Sequence, residues 1–257
     1  MLMREAYGPD YDLPPPAMAP AKTVMLATIP RTGSTYCGLR MWETGVLGAP
    51  LEYLNINTNK QMFMRLSAGS QHRYWREVQR LRQTANGVFS YKMFIANYLH
   101  FKRSRPDFLR QIAPYFVVYL TREDKVGQAI SYARAIQSRK WFAAVKEQNK
   151  PEYSFAAIRR QLRSIERQEQ AWEGVFSVTG AEPVRITYEE LLREQDATLE
   201  RVCAHVGESF DRSRTIEIGS IDRQADSLSD DWRERFERDR LTRMPPPQQH
   251  QARAAAR

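Results

Sequence analysis

The sequence predicts an α/β protein, a central parallel β-sheet flanked by helices, in one domain. Three observations carry this. Short apolar runs alternate with amphipathic stretches from Thr23 to Val206. The runs at 24–29 and 115–120 are apolar without alternation, as in strands covered on both faces. At 257 residues, 42% hydrophobic and 27% charged, the chain can bury one full core but not a second large one.

The elements follow in order. Residues 1 to about 21 are Pro-rich and read as a loose lead-in. Val24-Met25-Leu26-Ala27-Thr28-Ile29 is the first strand, and Pro30–Thr35 is a tight turn of small residues. A helix comes next, with Tyr36, Leu39, Met41 and Trp42 at its apolar positions and Gly45 closing it. Gln71–Thr84 is a charged amphipathic helix, and Gly87 leads into a second strand, Val88–Phe94. Pro114 precedes the third, Tyr115–Leu120, and a long helix starts near Asp124. Phe155, Ile158, Leu162, Ile165, Trp172 and Phe176 form a helical stripe. Pro183–Thr187 is a fourth short strand, with helical signals at 189–192 and 197–206. From about Met244 the composition is that of a tail. The ordered core is thus expected at about 22–243, with 1–21 and 244–257 loose.

The chemistry concentrates in the first strand, turn and helix. Such a turn aims several backbone N–H groups at one point, and the helix dipole adds to them, which makes an anion site. Arg31 supplies a charged fork that matches phosphate or sulfate oxygens. The loop is too short for a Walker A sequence and lacks its Lys. An ordinary strand-to-helix turn has the same outline, so the loop does not decide the matter by itself. Arg122 lies just past the third strand, and Ser131 falls in the helix that follows. An Arg there is most often a surface charge. Two anion grips at the carboxyl ends of two parallel strands instead suit a ligand with two separated anionic groups.

The formal charge of +9 favours an anionic partner. Nucleic acid is not expected, because the Arg residues mix with Glu, as in Arg159–Arg167, with no basic–aromatic interleaving. No apolar run spans a membrane and the N-terminus lacks a secretion signal's apolar core, so a cytoplasmic protein is expected. Cys37 and Cys203 read as buried free thiols, and no metal-ligand spacing occurs, so no metal is expected. None of the four His residues lies in a motif. Two other readings remain in view. A P-loop-type nucleotide kinase would need a loop Lys and a Mg²⁺-binding carboxylate at a strand end, neither of which is read here. A non-enzymatic binder of nucleic acid or anionic lipid rests on charge alone.

The paired grips resemble those of sulfotransferases that use 3′-phosphoadenosine 5′-phosphosulfate (PAPS), and within them the bacterial trehalose 2-sulfotransferase family. The shared features are Arg31-Thr32-Gly33-Ser34-Thr35, the segment Thr44–Tyr53, Lys92, and Arg122 with Gln128–Ser131. Further on come Arg134–Gln137 with Trp141, then Tyr188, then Arg223–Asp226 with Ser229 and Trp232. The likeness runs from about Thr23 to Phe236. It implies a P-loop-NTPase-like sulfotransferase fold with PAPS as sulfuryl donor and no metal. Arg31, Thr32, Gly33, Ser34 and Thr35 would then cradle the 5′-phosphosulfate, with Arg31 also stabilising the leaving phosphate. Arg122 and Ser131 would hold the 3′-phosphate, and Tyr188 and Arg223 would be further cofactor contacts. Glu52 matches the family's general base, although its residue type alone fits a solvated loop carboxylate equally well. The implied partner is a carbohydrate or glycolipid acceptor. Pro30 stands where the trehalose enzymes carry a sugar-contacting Gln, and 53–58 lacks their Pro- and Trp-bearing acceptor segment. A sugar hydroxyl other than trehalose's fits this departure. Trp42, Trp75 and Trp141 are candidate interface aromatics for a homodimer, with core packing the default use.

Overall fold

A computed structural model describes residues 5–14, 18–67, 69–141, 149–216 and 227–243. Four strands, β1 (Lys22–Thr28), β2 (Val88–Phe94), β3 (Phe116–Thr121) and β4 (Val184–Thr187), form one sheet in the order β2-β1-β3-β4. All three pairings are parallel, with Leu26 opposite Lys92 and Ala27 opposite Tyr119. The chain leaves β1 toward one edge, returns past it, and continues to the other edge. The switch point therefore lies between the ends of β1 and β3, where open α/β sheets bind ligands.

Alternation along the strands divides the core. Met25, Ala27, Phe89, Tyr91, Met93, Val117 and Tyr119 face one side. They pack there against α3 (Gln71–Arg82), α6 (Lys125–Ser138), α7 (Phe155–Thr179) and α10 (Ser227–Arg243). Val24, Leu26, Val88, Val118, Leu120 and Ile186 face the other, under α8 (Tyr188–Arg193) and α9 (Gln195–Val206). The first helix, α1 (Ser34–Glu43), supplies Leu39 and Trp42 to one cluster and Cys37 and Met41 to the other. Full two-sided burial explains why β1 and β3 read as continuous apolar runs. Trp172 of α7 donates its indole N–H to the Thr28 carbonyl at 2.9 Å, which anchors the end of β1.

The strands and the helices of the sequence reading are in place, and Gly45 closes α1 with φ 70°. The lead-in reading is corrected for residues 5–14. Ala6 and Tyr7 are buried, and Arg82 donates to the carbonyls of Ala6 (2.9 Å) and Gly8 (2.8 Å). Two Pro and one Gly in this stretch suggest loose chain, but two aromatic anchors and one buried guanidinium outweigh them. Among the described residues, α2 (Ile56–Leu66), α4 (Ile95–Ser104), α5 (Pro106–Gln111) and α10 are helices beyond those the sequence predicts. Trp42 and Trp75 are core residues, whereas Trp141 is 41% exposed. Cys37 and Cys203 are buried free thiols. No helix among the described residues is long and apolar enough to cross a membrane. Residues 244–257 lie outside the described residues.

Candidate active site

The β1–α1 turn is built for close approach. Gly33 stands at the N-cap of α1 with φ 83°, and a Cβ there would sit 2.2 Å from the Tyr188 ring. Only glycine meets both demands. An N-cap without a side chain leaves the first-turn N–H groups of α1 to another acceptor. Thr32 is fully buried and its hydroxyl is already engaged, 2.6 Å from the Thr28 hydroxyl and 3.0 Å from the Ile29 carbonyl. It braces the loop, so only its main chain is left for a ligand. The Thr28 hydroxyl lies 3.2 Å from the Leu120 carbonyl, which ties the ends of β1 and β3 together.

Arg31 is a non-glycine residue held at φ 67°, a strained conformation that turns its side chain toward α6. Its Nε donates to the Ser131 hydroxyl at 2.9 Å and its Nη1 to the Trp141 carbonyl at 2.7 Å. The two grips of the sequence reading are thus one hydrogen bond apart. Burial, then the neighbouring charges of Arg122 and Arg134, lower the Arg31 guanidinium to about 10.

Arg122 completes this end. It reaches the Arg31 carbonyl at 3.5 Å and Asp124 at 3.3 Å, while its guanidinium lies 5.5 Å from the centre of the Tyr188 ring. Its Nε is buried without a hydrogen-bond partner, 3.7 Å from Glu189. The Arg122 guanidinium therefore stands between two carboxylates, Asp124 and Glu189, beside the crowded Arg31 guanidinium. The carboxylates at this strand end are already occupied. Asp124 caps α6 through the Gly127 N–H (2.9 Å) and pairs with Arg233 (2.6 Å). Burial alone would raise the Asp124 carboxyl, but these bonds and Arg122 outweigh it and hold it below the ordinary range. Glu189 accepts the main-chain N–H groups of Glu123 (2.9 Å) and Asp124 (3.2 Å).

The opposite corner centres on Glu52. Residues 47–51 run along the free edge of β2: Ser90 donates to the Leu47 carbonyl, Leu51 bridges Tyr91, and the Lys92 N–H meets the Leu51 carbonyl at 2.9 Å. Gly48, at φ 74°, permits this approach, since a Cβ would meet the Ser90 nitrogen at 2.8 Å. Glu52 is delivered beside the Lys92 side chain. It is 8% exposed, which excludes a solvated loop carboxylate. Lys92 Nζ lies 3.2 Å from its Oε1 and 3.4 Å from the Thr35 hydroxyl. Asn55 (2.9 Å) and Thr58 (3.4 Å) donate to Oε2. The Glu52 N–H donates to the Tyr7 hydroxyl at 3.0 Å. Burial, and then the Glu52 charge, push that phenol well up, so it stays neutral.

Of the residues expected at a site, the structure groups Arg31, Gly33, Arg122, Ser131 and Tyr188 at one end. Ser34 and Thr35 open α1 between them and Glu52. Arg223 lies outside the described residues. Lys92 and Tyr7 carry no role in the reading of the sequence. A Lys inside the apolar run Val88–Phe94 was the available signal, because a buried ammonium demands a carboxylate. Tyr7 offered no signal at all.

Comparison with known proteins bears on this arrangement. Trehalose 2-sulfotransferase of Mycolicibacterium smegmatis is 27% identical over 248 residues, covering 81% of this chain and 92% of that protein. Trehalose 2-sulfotransferase of Mycobacterium tuberculosis is 30% identical over 125 residues, 48% of this chain and 45% of that protein. Among solved structures, the sulfotransferase domain from the curacin biosynthetic pathway aligns with TM-score 0.49 and 14% identity, covering 83% of each chain. Retinol dehydratase in complex with androsterone and the inactive cofactor PAP aligns with TM-score 0.42 and 12% identity, covering 95% of this chain and 87% of its own. The family model of Stf0 sulphotransferase matches residues 23–239, which take in both grips, Glu52 and the whole sheet from Thr23 onward, and the chain belongs to that family.

Proposed function

We propose that this enzyme moves a sulfuryl group from PAPS to a hydroxyl of a carbohydrate or glycolipid, with Glu52 as general base. One observation carries the reading. A single buried ammonium, Lys92, touches both Glu52 and Thr35, so the base and the donor loop share one corner. The residues also fit the donor's two anionic ends. The main-chain N–H groups of 32–35 and the Arg31 side chain suit a 5′-phosphosulfate. Arg122, at the carboxyl end of β3, and Ser131 of α6 suit a 3′-phosphate. Tyr188 walls the loop against Gly33, and Arg223 is assigned to the donor by its place in the family pattern.

When bound, PAPS supplies an already activated sulfuryl group, so the protein's work is positioning and charge stabilisation. Arg31 faces charge that grows on the leaving phosphate. Ser131 and the Trp141 carbonyl hold its fork in place. Glu52 accepts the acceptor hydroxyl's proton. The acceptor class follows from the relatives, two trehalose 2-sulfotransferases. Pro30 and residues 53–58 depart from those enzymes as described, which supports a sugar other than trehalose. Two buried thiols suit a cytoplasmic, reducing setting. The test is an acceptor screen with sulfur-labelled PAPS over cell-envelope glycolipids and small saccharides. Label should appear on at least one sugar acceptor and vanish with Glu52→Gln; label on none of them would sink the proposed acceptor class.

A further inference from the structure

We propose that Lys92 is the positioning residue of Glu52, fixing which carboxylate oxygen takes the acceptor's proton and tying that oxygen to the donor loop. The inference rests on the sulfuryl-transfer reading for Glu52 but comes from hydrogen-bond geometry. Each carboxylate oxygen offers two lone pairs. Oε2 spends both, on Asn55 and Thr58. Oε1 spends one, on Lys92, and keeps one. The proton therefore goes to Oε1, the oxygen that Lys92 holds.

Of the three side chains bonded to the carboxylate, only Lys92 is charged. Cys37 of α1 also faces Lys92, but burial pushes its thiol up to about 12 and keeps it neutral. The ammonium and the carboxylate thus depend on each other, the Lys92 side chain being 1% and that of Glu52 9% exposed. Once Oε1 is protonated, the pair loses its attraction and Lys92 keeps its charge. Its other acceptor is the Thr35 hydroxyl, on the first turn of α1 beside the donor loop. Positive charge is then released toward the donor loop when the acceptor oxygen attacks. Proton and charge are conserved, with the proton on Glu52 and the ammonium unchanged.

The test is a double-mutant cycle between Lys92→Met and Glu52→Gln, read by melting and by steady-state kinetics on the full chain. Lys92→Met should lower kcat on the labelled sugar acceptor by about 10²-fold with acceptor KM within about threefold, as a misplaced base does. Added to Glu52→Gln, it should cost no more than a further few-fold. In melting, the double variant should be more stable than Lys92→Met alone, because no buried carboxylate is left unpaired. Should Lys92→Met not fold, Lys92→Arg keeps the charge but displaces it, and should lower kcat while the melting response to 3′-phosphoadenosine 5′-phosphate persists. Multiplying losses in kcat, additive losses in melting, or parental kcat in Lys92→Arg would each overturn the proposal. The melting cycle needs no donor, so it stands or fails apart from the donor reading.

Discussion

The two ends of the site solve opposite electrostatic problems. Around Ser131, cations crowd together: Arg31 and Arg122 lie within one hydrogen bond of the same loop, Arg134 adds charge, and Arg122 is met by Asp124 and Glu189. Around Glu52 the charges balance one to one, with Lys92 buried against a buried carboxylate. The proposed function asks the first end to take an anionic donor. The second is complete as it stands and must be disturbed to act. In the proposed function, a ligand with two anionic groups would bind at the first end, and the proton transfer would take place at the second.

The comparison can be broken by substitution, beginning with the largest effect. Glu52→Gln keeps shape and removes the proposed base, so sulfuryl transfer should fall by about 10²–10⁴ while donor binding holds. Initial rates with labelled donor read this, and activity within a few-fold of the parent would move the base elsewhere. Arg31→Ala should lower turnover by roughly 10²–10³, more than it lowers donor affinity, since charge on the leaving phosphate grows as the bond breaks. Single-turnover rates against titrated affinity separate the two, and equal losses would place Arg31 in ground-state binding alone.

Arg122→Ala should cost about 1.5–3 kcal/mol, or roughly ten- to a hundred-fold, in binding of 3′-phosphoadenosine 5′-phosphate. Adenosine 5′-phosphosulfate, without the 3′-phosphate, should lose much less in the same calorimetric titration. Equal weakening of both ligands would take Arg122 off the 3′-phosphate. Gly33→Ala places a Cβ in the Tyr188 ring at positive φ, for about 1–3 kcal/mol of strain, seen as a lower melting temperature and a weakened donor response.

The smallest effect is pH-dependent. Asp124 has its folded carboxyl below the unfolded value of 3.8, so its contribution is full above that value and is lost as pH falls through the folded one. The side chain is one-third exposed, and solvent screening keeps the contribution small. Acid melting curves of the parent and Asp124→Asn should converge below about pH 4. Curves separated by the same gap at every pH would remove the ionisation from the argument.

The same contrast explains what could be read from the residues alone. The cation end is local: Arg31 and Gly33 sit within one strand–turn–helix, and Arg122 and Ser131 within another, so spacing reveals both. The Glu52 corner is assembled from distant pieces. Tyr7 comes from the N-terminal segment, Lys92 from the middle of a strand, and Asn55 and Thr58 from around the start of a helix that the composition of 53–58 does not announce. No pattern of spacing links them, and the resemblance to a family includes Lys92 among its shared features but gives a role only to Glu52. The buried Lys was legible as a charge needing a partner, but which partner is a matter of tertiary contact. The unread α10 has almost no apolar face, and two aromatics, Trp232 and Phe236, dock it.

Whether the cation end takes the proposed donor is read by melting the full chain with 3′-phosphoadenosine 5′-phosphate, beside ATP and an oligonucleotide. A ligand at about 100 times its Kd that binds only the folded state adds about 2.7 kcal/mol. For a chain of this size that is a rise of roughly 5–10 °C. The account predicts that rise for 3′-phosphoadenosine 5′-phosphate and little for the other two, whereas a rise with ATP or oligonucleotide alone would contradict it.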